Sequence, residues 1–187
     1  MVKILLIGIA VVITGVLLSA ATRPDTFHVQ RSAAIQAPPE RIYGLIEDFR
    51  HWSAWSPWEK KDPGMKRTFG DQTRSKGATY AWDGNGEVGQ GRMEITDTLA
   101  PSRLALELDF VRPFEAHNRV DFAFAPSGSG TEVTWSMQGD VPYLAKIIHL
   151  FVDMDRMVGK DFEAGLANLK LAAEAPVAVA TPSGEKR

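Results

Sequence analysis

Between about Met65 and Gly139 the apolar residues fall at every second position. Leu104, Leu106, Leu108 and Phe110 alternate with Ala105, Glu107 and Asp109, and the same pattern returns in Val120, Phe122 and Phe124 and in Val133, Trp135 and Met137. A period of two marks a strand with one face buried and one solvated. Parallel neighbours need a long crossover, usually a helix. The spacers here are short turn sequences instead: Asp83-Gly84-Asn85-Gly86, Ala100-Pro101-Ser102 and Pro126-Ser127-Gly128-Ser129-Gly130. The middle of the chain therefore reads as an antiparallel meander of about six strands.

The flanks carry other periods. Phe27 to Ile35 alternates enough to be a further strand and ends at Ala37-Pro38-Pro39. Glu40 to Phe49 places Ile42, Tyr43, Leu45, Ile46 and Phe49 at spacings of three and four, a short helix opened by the proline pair. Trp52 and Trp55 share a second helical face, and Pro57 is expected to end any helix there and send Trp58 onward. From Tyr143 to Ala172 the apolar stripe Leu144, Ile147, Ile148, Phe151, Met154, Val158, Phe162, Leu166 and Leu169 predicts one long amphipathic helix. The order is strand, two short helices, about six strands, long helix. This is an α+β chain whose curved sheet of about seven strands must cover that helix.

Ahead of this lies Ile4 to Ala21, 18 residues without a charge. At 1.5 Å per residue it spans about 27 Å, close to the hydrocarbon core of a bilayer. An uncleaved anchor is the preferred reading. Ser19-Ala20-Ala21 also offers small residues for signal cleavage, and a buried core helix is the third alternative. Lys3 before the span and Arg23 after it nearly balance, and we favour an N-terminus inside with the domain extracytoplasmic, or a periplasmic or secreted domain if the segment is cleaved. The expected organisation is 1–22 anchor or signal, 23–174 folded domain and 175–187 disordered tail.

Composition narrows the function. Residues 23–174 hold 18 Lys and Arg against 22 Asp and Glu, net −4, with no basic run. They lack the electrostatic footprint that nucleic-acid binding needs. The chain has no cysteine, which removes disulfides, zinc–thiolate sites and thiol nucleophiles.

Several phrases resemble one known family. They are Ala37-Pro38-Pro39-Glu40-Arg41-Ile42-Tyr43, Trp52-Ser53-Ala54-Trp55-Ser56-Pro57-Trp58, Gly77-Ala78-Thr79-Tyr80-Ala81-Trp82-Asp83-Gly84-Asn85 and Gly89-Gln90-Gly91-Arg92-Met93-Glu94-Ile95. With the element order, they resemble the helix-grip fold of the SRPBCC (START-like) superfamily, in its polyketide cyclase/dehydrase-like branch, from about Phe27 to Ala173. The resemblance implies a cavity between the sheet and the C-terminal helix able to hold a hydrophobic small molecule. It supplies no catalytic motif.

The candidate lining is Trp52, Trp55, Trp58, Tyr80, Trp82, Phe122, Phe124 and Trp135, with Phe151, Met154 and Val158 from the long helix. Large aromatics equally fill ordinary cores. Gly84, Gly86 and Gly89 match GxGxxG, but a strand follows them and no helix opens to receive a pyrophosphate, so nucleotide binding is rejected. His149 and Asp153 are four apart and would share a helical face as an acid/base pair, though an exposed pair is the commoner outcome. Asp153, Asp155 and Arg156 would lie mid-helix, where the two readings are one charge fixing a ligand's polar end and a solvated face. No two histidines have metal-ligand spacing, and no cofactor is expected. The expected function is a membrane-anchored domain binding a lipid or polyketide-like molecule without catalysis. A cyclase or dehydratase is the alternative, and docking on another envelope protein a third.

Overall fold

The computed structural model describes residues 2–176; the expected disordered tail at 175–187 lies almost wholly outside them. The elements are α1 (Val2–Ala21), β1 (Thr26–Ile35), α2 (Pro39–Ile46), a 3-10 helix (Phe49–Ala54), α3 (Pro57–Lys61), β2 (Lys66–Phe69), β3 (Thr79–Asp83), β4 (Gln90–Leu99), β5 (Arg103–Arg112), β6 (Ala116–Ser127), β7 (Gly130–Asp140), α4 (Tyr143–His149) and α5 (Met154–Glu174). The seven strands form one sheet in the order β1-β7-β6-β5-β4-β3-β2 with every pairing antiparallel. β2 to β7 are the meander. β1 closes the sheet beside β7, and α5 packs along β1 on the face that buries the alternating residues. This is an α+β helix-grip fold.

Two helix expectations are corrected. Tyr143 to Ala172 is not one helix: α4 ends at His149 and α5 begins after Asp153, whose carboxylate accepts from the Arg156 N–H at 3.0 Å. An N-cap needs non-helical backbone, so this cap breaks the apolar stripe into two pieces. Pro57 does not end a helix but opens α3, at the first turn where its missing N–H costs nothing.

The tryptophan phrase has a local structural role. The last turn of a helix leaves its carbonyls without intrahelical partners. In α2 the Tyr43 carbonyl accepts from Glu47 N at 2.8 Å, Gly44 from His51 Nδ1 at 2.9 Å, Leu45 from Trp55 Nε1 at 2.9 Å and Ile46 from Trp52 Nε1 at 2.8 Å. Trp52 and Trp55 thus cap α2 with their N–H groups while their rings enter the core, 4.8 Å apart.

Asp48 caps the 3-10 helix, accepting from Arg50 N at 3.0 Å and from the Arg50 guanidinium at 2.6 Å. These hydrogen bonds pull its pKa down to about 2. An unfolded Asp titrates near 3.9. The depressed carboxylate therefore stabilises the fold above about pH 4, and that contribution is lost as pH falls through about 2. Asp48→Asn should flatten the acid limb of a pH–stability curve in this window, and a cap-removing Asp48→Ala should cost about 1 kcal/mol at neutral pH in chemical denaturation.

Candidate functional site

The inner face of the sheet is ordered in rows by the strand register. One row reads Phe27, Gly139, Asn118, Leu108, Met93 and Tyr80 across β1, β7, β6, β5, β4 and β3. Away from the α1–β1 junction, toward the distal end of the sheet, the rows carry Val29, Met137, Val120, Leu106 and Ile95, then Trp135, Phe122 and Leu104, all buried.

The distal half is closed by stacked rings. Trp135 lies 4.0 Å from Phe162 of α5 at an interplanar angle of 8° and 5.0 Å from Phe122 at 29°. Trp55 and Trp58 meet Trp135 edge-on at 5.5 and 5.8 Å. α5 can approach this closely because residue 165 is glycine, where a Cβ would stand 2.7 Å from the Trp135 ring.

Trp52, Trp55, Trp58, Tyr80, Trp82, Phe122 and Trp135 are brought together through continuous ring contacts, with Phe49 as the bridge. Phe124 packs edge-on against Tyr43 in the same core, and Val158 packs at its edge. Met154, the first residue of α5, is half-buried. Phe151 does not face the sheet: it lies in the break between α4 and α5 and is 78% exposed. These aromatics are core material, filling the space between sheet and helix with one another.

In the proximal half Phe27, Leu108 and Phe110 are half-buried, while Tyr80, Trp82 and Met93 are buried. In its row Asn118 is 7% exposed, and its side-chain oxygen has no hydrogen-bond partner. An unpaired buried acceptor costs about 1–3 kcal/mol of desolvation. Gly139, directly across from it, leaves room for that oxygen, since a Cβ there would collide with it. The second orphaned polar atom among the described residues is Trp135 Nε1. Asn118 is not among the sequence candidates, yet the sequence carries its signal: a polar side chain in phase with Val120, Phe122 and Phe124.

One ionisable cluster also lies on the inner side. The buried Glu59 of α3 accepts from Tyr80 OH at 2.6 Å and from Arg67 Nε at 2.7 Å. Burial, and then the hydrogen bond to Glu59, push the Tyr80 pKa far up, so Tyr80 stays a neutral donor. Glu59 and Arg67 have no helical or strand spacing to betray them, because three separate elements bring the cluster together.

The other candidates fall elsewhere. His149 ends α4 and Asp153 caps α5, so they do not share a helical face. Asp155 is in the first turn of α5, not mid-helix, and holds Arg31 of β1 at 2.9 Å, with Glu163 at 2.8 Å on the same guanidinium. The hydrogen bond from Arg31 lowers the Asp155 pKa and keeps it charged. Gly84, Gly86 and Gly89 lie in the β3–β4 turn. Two open grooves of about 440 and 360 Å³ lie at the proximal end, the first lined by Arg23 and His149 to Met154, the second by Thr26 to His28, His117, Arg119 and Gln138 to Asp140.

A family model described as polyketide cyclase/dehydrase and lipid transport matches residues 26–174. The chain belongs to this family. Its matched region begins at β1 and ends with α5, leaving α1 outside the cyclase/dehydrase domain. Among solved structures, a protein from Chromobacterium violaceum superposes with a TM-score of 0.57 at 15% identity over 82% of this chain and 100% of its own. The Aha1 dimer from Colwellia psychrerythraea gives 0.57 at 15% identity over 79% and 96%. A protein from Nitrosospira multiformis gives 0.58 at 18% identity over 80% and 97%. At these identities the likeness shows the fold. No curated protein matches the chain.

Proposed function

We propose that this cyclase/dehydrase-family domain is held at a membrane by α1, on the extracytoplasmic side, and binds a hydrophobic small molecule, a lipid or polyketide-like compound, without transforming it. The observation that carries the binding reading is the orphaned Asn118 oxygen, set in an apolar row between half-buried Leu108 and Phe27. Apolar pockets orient ligands through a few polar groups, and an acceptor of this kind fits a ligand hydroxyl. The ligand seat is therefore the proximal half of the grip, not the aromatic distal half.

The non-catalytic reading is supported by the Tyr80–Glu59–Arg67 cluster on the inner side. Tyr80 already donates to Glu59, whose other oxygen is taken by Arg67, and its raised pKa keeps it protonated, so it supplies no phenolate base and is a poor acid. α1 supports the membrane reading: its 20 residues reach about 30 Å, and its apolar side chains are almost all exposed.

The test is a binding series with hydroxylated apolar compounds and their deoxy analogues on the full chain in lipid nanodiscs. The hydroxylated members should bind about tenfold more weakly to Asn118→Leu than to the wild type, the value of one hydrogen bond of about 1.4 kcal/mol, while the deoxy members lose nothing. Equal loss for both sets, or no binding by either, would contradict the proposal.

A further inference from the structure

We propose that α4 and the turn after it lie in the interfacial layer of the bilayer, with Leu144, Ile148 and Phe151 inserted among the lipids. The inference rests on reading α1 as a membrane span and deepens that reading by naming a second contact.

Leu144 and Ile148 are four apart on one face of α4, Phe151 follows in the turn bonded back to the Ile148 carbonyl, and the three are 75%, 48% and 78% exposed. Their depth follows from α1. Tyr143 OH donates to the Leu17 carbonyl at 2.8 Å, and Leu17 lies four residues before the end of α1 at Ala21. At 1.5 Å per residue this places the start of α4 about 6 Å inside the end of the span. Amphipathic helices in a membrane interface sit about 5–10 Å deep. The rotation of α4 is also fixed. Lys146, two residues from both Leu144 and Ile148 and thus on the opposite side, is buried, its Nζ 2.9 Å from the Arg23 carbonyl and 2.5 Å from Asp25 Oδ1. The tie to the segment leaving the span turns the apolar face away from the domain.

A second tip lies at the same end. The register pairs Thr26, just after the span, with Asp140, and Gly139 with Asn118, so the β5–β6 turn is on the membrane-proximal edge. That turn carries Phe114 at 73% exposure, and Val111 near the end of β5 is 49% exposed. The domain thus presents two apolar points around α1, the geometry of a body resting on a lipid surface.

Because the chain has no cysteine, single cysteines report depth without background. The full chain is reconstituted in phosphatidylcholine liposomes carrying a lipid-borne quencher, with an environment-sensitive fluorophore at Val12→Cys in the span, Phe151→Cys or Phe114→Cys at the two points, or Ala125→Cys at the distal end. The expected result is blue-shifted, quenched emission at 12, 151 and 114 and unquenched emission at 125. Adding Leu144→Glu and Ile148→Glu should relieve quenching at 151 but not at 12. Quenching at 12 with position 151 behaving like 125 overturns the inference and leaves the anchor standing. Quenching at 151 that survives the two Glu substitutions overturns the role of the α4 face. No quenching at 12 overturns the membrane reading and the inference with it.

Discussion

Trp135→Ala should destabilise the domain by about 3–5 kcal/mol, a large share of the roughly 5–15 kcal/mol that holds a typical domain folded. The ring is 3% exposed and stands between Phe122 and Phe162, so its removal opens a void shared by β6, β7 and α5 that the rigid sheet cannot collapse to fill. The same residue separates two kinds of tryptophan. Trp135 Nε1 has no partner, so Trp135→Phe loses packing volume but also releases an unpaired buried N–H. Trp52→Phe, by contrast, strands the Ile46 carbonyl at the end of α2. Chemical denaturation should show Trp52→Phe the more damaging of the two, although both delete the same atoms. The reverse order would mean that indole capping contributes little to holding α2.

The second large effect is at Glu59. Glu59→Leu leaves the Arg67 guanidinium without its carboxylate and the Tyr80 hydroxyl buried without an acceptor. Breaking a buried pair from one side typically costs about 3–5 kcal/mol, whereas replacing all partners by apolar groups is often close to neutral. The expected result is a severe loss for Glu59→Leu, read by thermal and urea unfolding, and a partial recovery when Tyr80→Phe and Arg67→Leu are added. A triple variant no better than Glu59→Leu alone would show that the cluster holds α3 against β2 and β3 by more than mutual satisfaction of its charges.

The sheet was legible because a strand's period is short and its signal local: Leu104 to Phe110 and Val120 to Phe124 declare their faces without any tertiary information. The family phrases placed the C-terminal helix against that sheet. The errors fall where a single side chain decides between two local structures. Asp153 looks like one more charge on a solvated face, and only its bond to the Arg156 N–H makes it the cap that divides α4 from α5. Pro57 stops one helix and starts the next with equal ease, and the residue type alone does not distinguish the two.

The site was less legible for a related reason. In the sequence Trp52 and Trp55 read as ligand contacts or as core filler, and neither reading anticipates that their N–H groups satisfy the Leu45 and Ile46 carbonyls. Glu59, Arg67 and Tyr80 come from three elements whose relative placement no spacing encodes. Phe151 continues an apolar stripe in the sequence but lies past the end of α4, where the stripe leaves the core and faces outward.

The proposed seat puts an apolar ligand in the proximal half of the grip with its hydroxyl on Asn118. It is tested most directly by following the Asn118 side-chain amide by nuclear magnetic resonance while the full chain in nanodiscs is titrated with a polycyclic phenol. The expected result is a saturable shift at Asn118 together with Leu108 and Phe110, and little change at Trp55 and Trp135. Saturable shifts confined to the outer grooves around His28 or Phe151, with Asn118 unmoved, would contradict it.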